Sequence, residues 1–192
     1  MKIGDRAMPK SSFGLPKMEE ATQTEVLEVP EESKPEETKT EVDVIQESLG
    51  VKFTQDDFDQ LLMKGYCEKE IEIIKGKLRA TFRSLTVDEW HESDEVYVEE
   101  VQNNLMTKEG ADVRQGLIRM VFSLTHLQGR VLAQPVKKQD GSIDKKATAG
   151  ERMRHIKAMS PSVVNIMLGK YVAFNRMIDL ITMEPEKYLK NS

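Results

Sequence analysis

Apolar and polar residues alternate over two short runs in the middle of the chain. Ile71 and Ile73 interleave with charged residues, and Leu78, Ala80 and Phe82 with Arg79 and Thr81. A period of two marks strands with one buried face. Lys75-Gly76 lies between the runs and supplies a residue that tolerates positive φ, so the pattern predicts a hairpin over residues 69–84. The second run leads into Thr86-Val87-Asp88-Glu89. A Thr followed three residues later by Glu is a capping box, so the hairpin hands over to a helix.

The period changes to that of helices on either side. Thr54 caps a helix in which Phe53 and Phe58 are spaced as a hydrophobic staple, Leu61 and Leu62 continue the apolar face, and Gly65 ends it. The helix after Thr86 runs from Val87 to about Leu105, with Trp90, Tyr97, Val101 and Leu105 as its expected buried stripe. A third helix is expected over residues 111–128, closed by Gly129. Val113, Leu117, Val121 and Leu124 form its core face, widened by Ile118 and Phe122. Residues 130–133 read as a short strand stopped by Pro135, and Gln139-Asp140-Gly141-Ser142 as an exposed turn. Ser160-Pro161 opens a last helix that reaches about Met183, with Val164, Leu168, Tyr171, Phe174, Ile178 and Ile181 as its stripe. At ~1.5 Å per residue it is about 35 Å long and crosses a domain. The fold class is therefore α+β and mainly α-helical: a small β-hairpin packed on four to five helices, over residues 51–192.

Residues 1–50 break the pattern. They carry twelve acidic and six basic residues, and −6 there against −5 for the whole chain leaves +1 for residues 51–192. Rich in Glu, Pro, Thr, Ser and Lys, the segment reads as a disordered or partner-docked acidic arm, extended when bound. Two apolar islands interrupt it. Phe13 and Leu15 precede Pro16, and Leu27 and Val29 precede Pro30. These four side chains are the expected partner-binding anchors of the arm.

Charge and chemistry narrow the function. From Asp88 to Glu100 there are seven carboxylates and no Lys or Arg. A helix spreads such residues around its surface, whereas a hard cation needs oxygens converging on one point, so no metal site is expected. His91, His126 and His155 fall on three different predicted helices without metal-ligand spacing. Cys67 has Glu68 and Glu70 beside it, which raises a thiol pKa rather than activating it. No nucleophile is paired with a base, so no catalytic residue, cofactor or enzymatic activity is expected. One cysteine cannot form an internal disulfide and fits a reducing compartment. No leader peptide and no membrane span is expected. The segment 145–158 is basic: Lys145, Lys146, Arg152, Arg154 and Lys157 stand against Glu151 alone. Without aromatic interleaving it fits an acidic protein face better than nucleic acid. Four of the eleven methionines, Met153, Met159, Met167 and Met177, crowd the C-terminal half as core filling or adaptable contact surface.

The hairpin with Leu78-Arg79-Ala80-Thr81-Phe82-Arg83-Ser84-Leu85-Thr86-Val87-Asp88-Glu89, then Leu117–Gly129, then the helix after Ser160-Pro161, resembles small morphogenesis proteins of tailed bacteriophages. The likeness is to the tail assembly chaperone group and related small tail or baseplate proteins, and it covers about two thirds of the chain. The acidic arm lies outside that pattern and suits a protein built into the particle. The resemblance implies a non-enzymatic structural or assembly protein in the host cytoplasm or the virion. Its partners would be other phage structural proteins or copies of itself. The alternative is a nucleic-acid-associated accessory protein that uses the basic segment 145–157.

Overall fold

The computed structural model describes residues 39–103 and 108–188. In chain order these form α1 (Glu41–Leu49), α2 (Gln55–Lys64), β1 (Glu68–Ile74), β2 (Leu78–Arg83), α3 (Val87–Asn103), α4 (Lys108–Ser123), β3 (Leu124–Leu127) and β4 (Arg130–Val131). There follow β5 (Val136–Lys137), β6 (Ile143–Asp144), α5 (Lys145–Lys157), α6 (Pro161–Met183) and α7 (Pro185–Tyr188). The fold is α+β and mainly helical, as the pattern predicts.

The hairpin forms with Ile71 opposite Ala80 and Lys69 opposite Phe82. Its turn places Gly76 at φ 65°, a left-handed conformation that favours glycine. The hairpin is half of a larger sheet: the strand order is β1-β2-β3-β4, and β3 runs antiparallel to β2. This corrects the reading of residues 111–128 as one helix, because Leu124–Leu127 is a strand. Two side chains end α4 at Ser123. The Ser123 hydroxyl donates to the Arg83 carbonyl at 2.5 Å, and Arg152 Nη1 donates to the Phe122 carbonyl at 2.8 Å. The Arg152 bond takes up a terminal carbonyl that a longer helix would satisfy internally, and the Ser123 bond ties the end of α4 to the end of β2. Gln128 and Gly129, at φ 53° and 70°, then turn β3 into β4. Two successive positive φ values match the right-handed twist of the strands they join. Gln128 tolerates this conformation with two bonds to hold it, from its amide to the Arg79 carbonyl at 2.9 Å and from its side chain to the Lys77 carbonyl.

The folded region begins before Val51, a second correction. Thr40 caps α1 and shares a capping box with Asp43, while Gly50 closes the helix at φ 70°. Val42 and Leu49 are buried in the core. Arg176 on α6 holds Glu41 at 3.0 Å, and Lys170 donates to the Ser48 carbonyl. The acidic composition of residues 1–50 conceals the helical spacing of Val42, Ile45 and Leu49. Next in the chain, Asp57 accepts from the Thr54 amide at 2.7 Å and pairs with Lys69 at 2.7 Å, which ties the start of α2 to β1.

The core lies between the sheet and α6. Met167, Tyr171, Phe174, Met177, Leu180 and Ile181 are the buried residues of α6. Phe82 sits 5.8 Å from the Tyr171 ring and 6.3 Å from Phe174, and Phe53 sits 6.1 Å from Phe174. Such tilted pairs add to what area burial alone provides. Leu124, Ile118 and Met120 fill in from the β3–α4 side, so Met120, Met167 and Met177 serve as core.

Candidate interaction surface

Helix α3 starts where the sequence places it. Glu89 accepts from the Thr86 amide at 3.0 Å, and the Glu89 amide reaches the Thr86 hydroxyl at 3.4 Å. The buried side of the helix is one position away from the expected stripe. Glu89 and Ser93 are buried and Val96 and Glu100 partly so, a polar line rather than an apolar one. The polar groups on this line have partners. Arg83 pairs with Glu89, the Ser93 hydroxyl donates to the Trp90 carbonyl at 2.7 Å, and Arg114 grips Glu100 with two bonds of 2.5 Å. Burial would raise the Glu89 carboxyl, but the Thr86 amide and the Arg83 guanidinium outweigh it and hold the group below the usual carboxylate range. The bond from Arg114 lowers Glu100 against an opposing burial effect.

Because the polar line faces inward, apolar side chains are left outside. Val87, Trp90, Val98 and Val101 are 40–73% exposed. With Asp94 they fall at i, i+3, i+7, i+11 and i+14, a single row along the outer face of α3. This corrects the expectation that Trp90 and Val101 are buried; Tyr97 is partly buried, and Leu105 lies outside the described residues. His91, Asp94, Glu95, Val98 and Glu99 line a shallow depression of about 480 Å³ on the same helix. Arg119 from α4 lies 3.8 Å over the Trp90 ring and binds Asp94 at 2.8 Å. It therefore holds two members of the row in place. Sequence reasoning missed Arg114 and Arg119; two arginines on the helix that follows a run of seven carboxylates were the available signal.

The basic helix meets the acidic one within the chain. Lys146 lies 2.6 Å from Glu95 and 3.6 Å from Glu99. The bond to Lys146 lowers the Glu95 carboxyl, and the same bond raises Lys146. Arg152 turns inward to the carbonyls that end α4, and Arg154 pairs with Glu151 at 2.6 Å on the surface. Lys157 is exposed and within electrostatic reach of Glu100. Lys145 sits apart, in the wall of a cleft at the start of α5. The five basic residues thus do not share one open face. The anchors Phe13, Leu15, Leu27 and Val29 lie outside the described residues.

The remaining candidate groups are dispersed. His91 is exposed on α3 and His155 on α5. His126 is on β3 rather than a helix, with Nδ1 3.0 Å from the Thr125 hydroxyl. Cys67 is fully buried, and burial together with the charge of Asp57 pushes its thiol up to about 12. Among the described residues, no three His, Cys, Asp or Glu side chains are grouped to hold a metal ion, and no helix is long and apolar enough to cross a membrane. No family model, curated protein or solved structure matches the chain.

Proposed function

We propose that the chain is a non-enzymatic structural or assembly protein of a tailed-phage particle, in the tail or baseplate. It works through protein–protein contacts of the helical domain and the N-terminal arm. The supporting observation is the open row Val87, Trp90, Val98 and Val101 on α3. Apolar side chains at this spacing are what one helix offers another. Exposed Trp90 is the side chain from which association gains most, and the Val residues beside it add apolar area removed from water on binding. The flanking carboxylates Glu95, Glu99 and Glu100 already have cations, so a partner need not neutralise them. Asp88 and Glu92 lie on the same acidic helix and suit a partner helix with a few basic groups. The sequence resemblance supplies the phage context, and the anchors Phe13, Leu15, Leu27 and Val29 supply a second contact.

The test is a Val98→Glu, Val101→Glu double variant expressed in phage-producing cells. Both positions are exposed, so the variant should fold with a stability change of about 0.5 kcal/mol or less per site. It should lose the phage structural proteins that co-purify with the wild type. Phe13→Ala with Leu15→Ala should weaken incorporation into particles separately. Partner binding should persist as salt rises, unlike phosphate-backbone binding, which falls steeply. Unchanged co-purification by the α3 variant would remove this reading.

A further inference from the structure

We infer that the cleft between the ends of β2 and α4 and the start of α5 binds a small dianion of the phosphate type. The cleft has a volume of about 320 Å³, and Arg83, Lys145 and Arg152 line it together with Glu89, Thr125 and Thr148. Three cations therefore face one carboxylate, a surplus that matches a doubly charged oxyanion.

The hydrogen bonds show which of these groups are available. Glu89 is taken up by Arg83 and by the Thr86 amide. Glu68, behind the wall, accepts from Thr125 at 2.6 Å. Thr148 donates to the Asp144 carbonyl at 2.7 Å and accepts from the Val136 amide at 2.9 Å, so it joins β5 to α5 and sets the cleft's shape. Arg152 uses only Nη1, on the Phe122 and Val121 carbonyls. Its Nε is buried and has no hydrogen-bond partner. A buried donor without an acceptor costs folding free energy, and an oxyanion on the Nε–Nη2 edge would satisfy it. The Lys145 ammonium makes no hydrogen bond or ion pair within 4 Å among the described residues, and its charge helps from a greater distance to hold the Glu89 carboxyl down. Burial and the neighbouring Arg83 charge both lower the proton affinity of Arg152, with Glu89 and Glu68 opposing. A bound dianion would relieve this crowding of positive charge.

The source of the phosphate group is either the free ion or a monoester on a partner. Inorganic phosphate and a tripeptide carrying phosphoserine are therefore titrated in parallel into the full chain, with chloride at matched ionic strength as reference. The readouts are calorimetry and backbone amide shifts. At least one phosphate ligand should bind at one site, with shifts concentrated at Ile143, Lys145 and Thr148; the tighter of the two identifies the source. Lys145→Gln, which breaks no side-chain hydrogen bond or ion pair within 4 Å among the described residues, should weaken binding roughly tenfold or more, the loss expected for a hydrogen bond to a charged group. Lys138→Gln, on the exposed β5–β6 loop, should leave it unchanged. Arg152→Lys is a secondary variant, because Arg152 also caps α4. No binding beyond chloride by either ligand, or an affinity unchanged by Lys145→Gln, would overturn the inference.

Discussion

The guanidinium of Arg119 lies 3.8 Å over the ring of Trp90, and the same group binds Asp94 at 2.8 Å. One residue of α4 therefore fixes an aromatic side chain that the fold leaves 42% exposed. Holding Trp90 in one orientation would lower the entropy lost if a partner covered it. Trp90 is the only tryptophan, so its fluorescence reports this face alone. Arg119→Gln should red-shift the emission and lower stability by about 1 kcal/mol, from the lost cation–π contact and ion pair. Emission that does not change would mean that Arg119 does not hold the ring.

The centre of the core should respond far more strongly. Phe82 is fully buried and touches the rings of Tyr171 and Phe174. Phe82→Ala should cost about 3–5 kcal/mol in a denaturant titration, the usual range for an aromatic core truncation. A loss below about 1 kcal/mol would place the β2 register or its packing on α6 in error.

Both features bear on what the sequence discloses. The hairpin and the helix boundaries at Thr54, Gly65, Thr86 and Ser160 follow from chemistry within a few residues, and the structure has each of them, Ser160 through its position before Pro161 and without a side-chain bond. Residues 124–127 do not follow from local chemistry. Val121 and Leu124 suit a helix as well as a strand, and the outcome depends on β2, Ser123 and Arg152, partners 30 to 44 residues apart in sequence. Helix α1 is hidden because composition averages three core side chains with their acidic neighbours. The signs of α3 and α5 are legible, but their meeting through Lys146 and Glu95 is not. The row on α3 shows the same limit: spacing identifies an apolar face, and only packing shows whether the chain itself covers it.

Acid should weaken the protein partly through Glu89. Its carboxyl is held below the ordinary glutamate value of 4.5, so the folded form binds a proton less readily than the unfolded chain. The contribution to stability is present in full above the unfolded pKa and is lost as pH falls through the folded one. Stability should therefore drop below about pH 4.5. Glu89→Gln removes the charge facing Arg83 and should cost about 3–5 kcal/mol at neutral pH, as breaking a buried pair does. It should also flatten the acid limb of the stability profile. An acid limb of unchanged slope would assign the pH dependence to other carboxylates.

Helix α1 gives the last test, through two chains that differ only in where they begin. One starts at Thr38 and keeps α1; the other starts at Val51 and lacks it. Leu49 is fully buried and Val42 nearly so, while Glu41 and the Ser48 carbonyl are held by Arg176 and Lys170 of α6. Removing the helix leaves a vacancy beside α6 and β1 that a side-chain truncation would only partly create. A single buried Leu→Ala change costs about 2–5 kcal/mol, so the shorter chain should lose at least that much. For a domain of this size each kcal/mol is worth about 2–4 °C, which places its thermal midpoint at least about 4 °C below that of the longer chain. Leu49→Ala in the full chain should reproduce a large share of the loss without altering either terminus. Equal midpoints for the two chains would make α1 an appendage and return the start of the folded region to Val51.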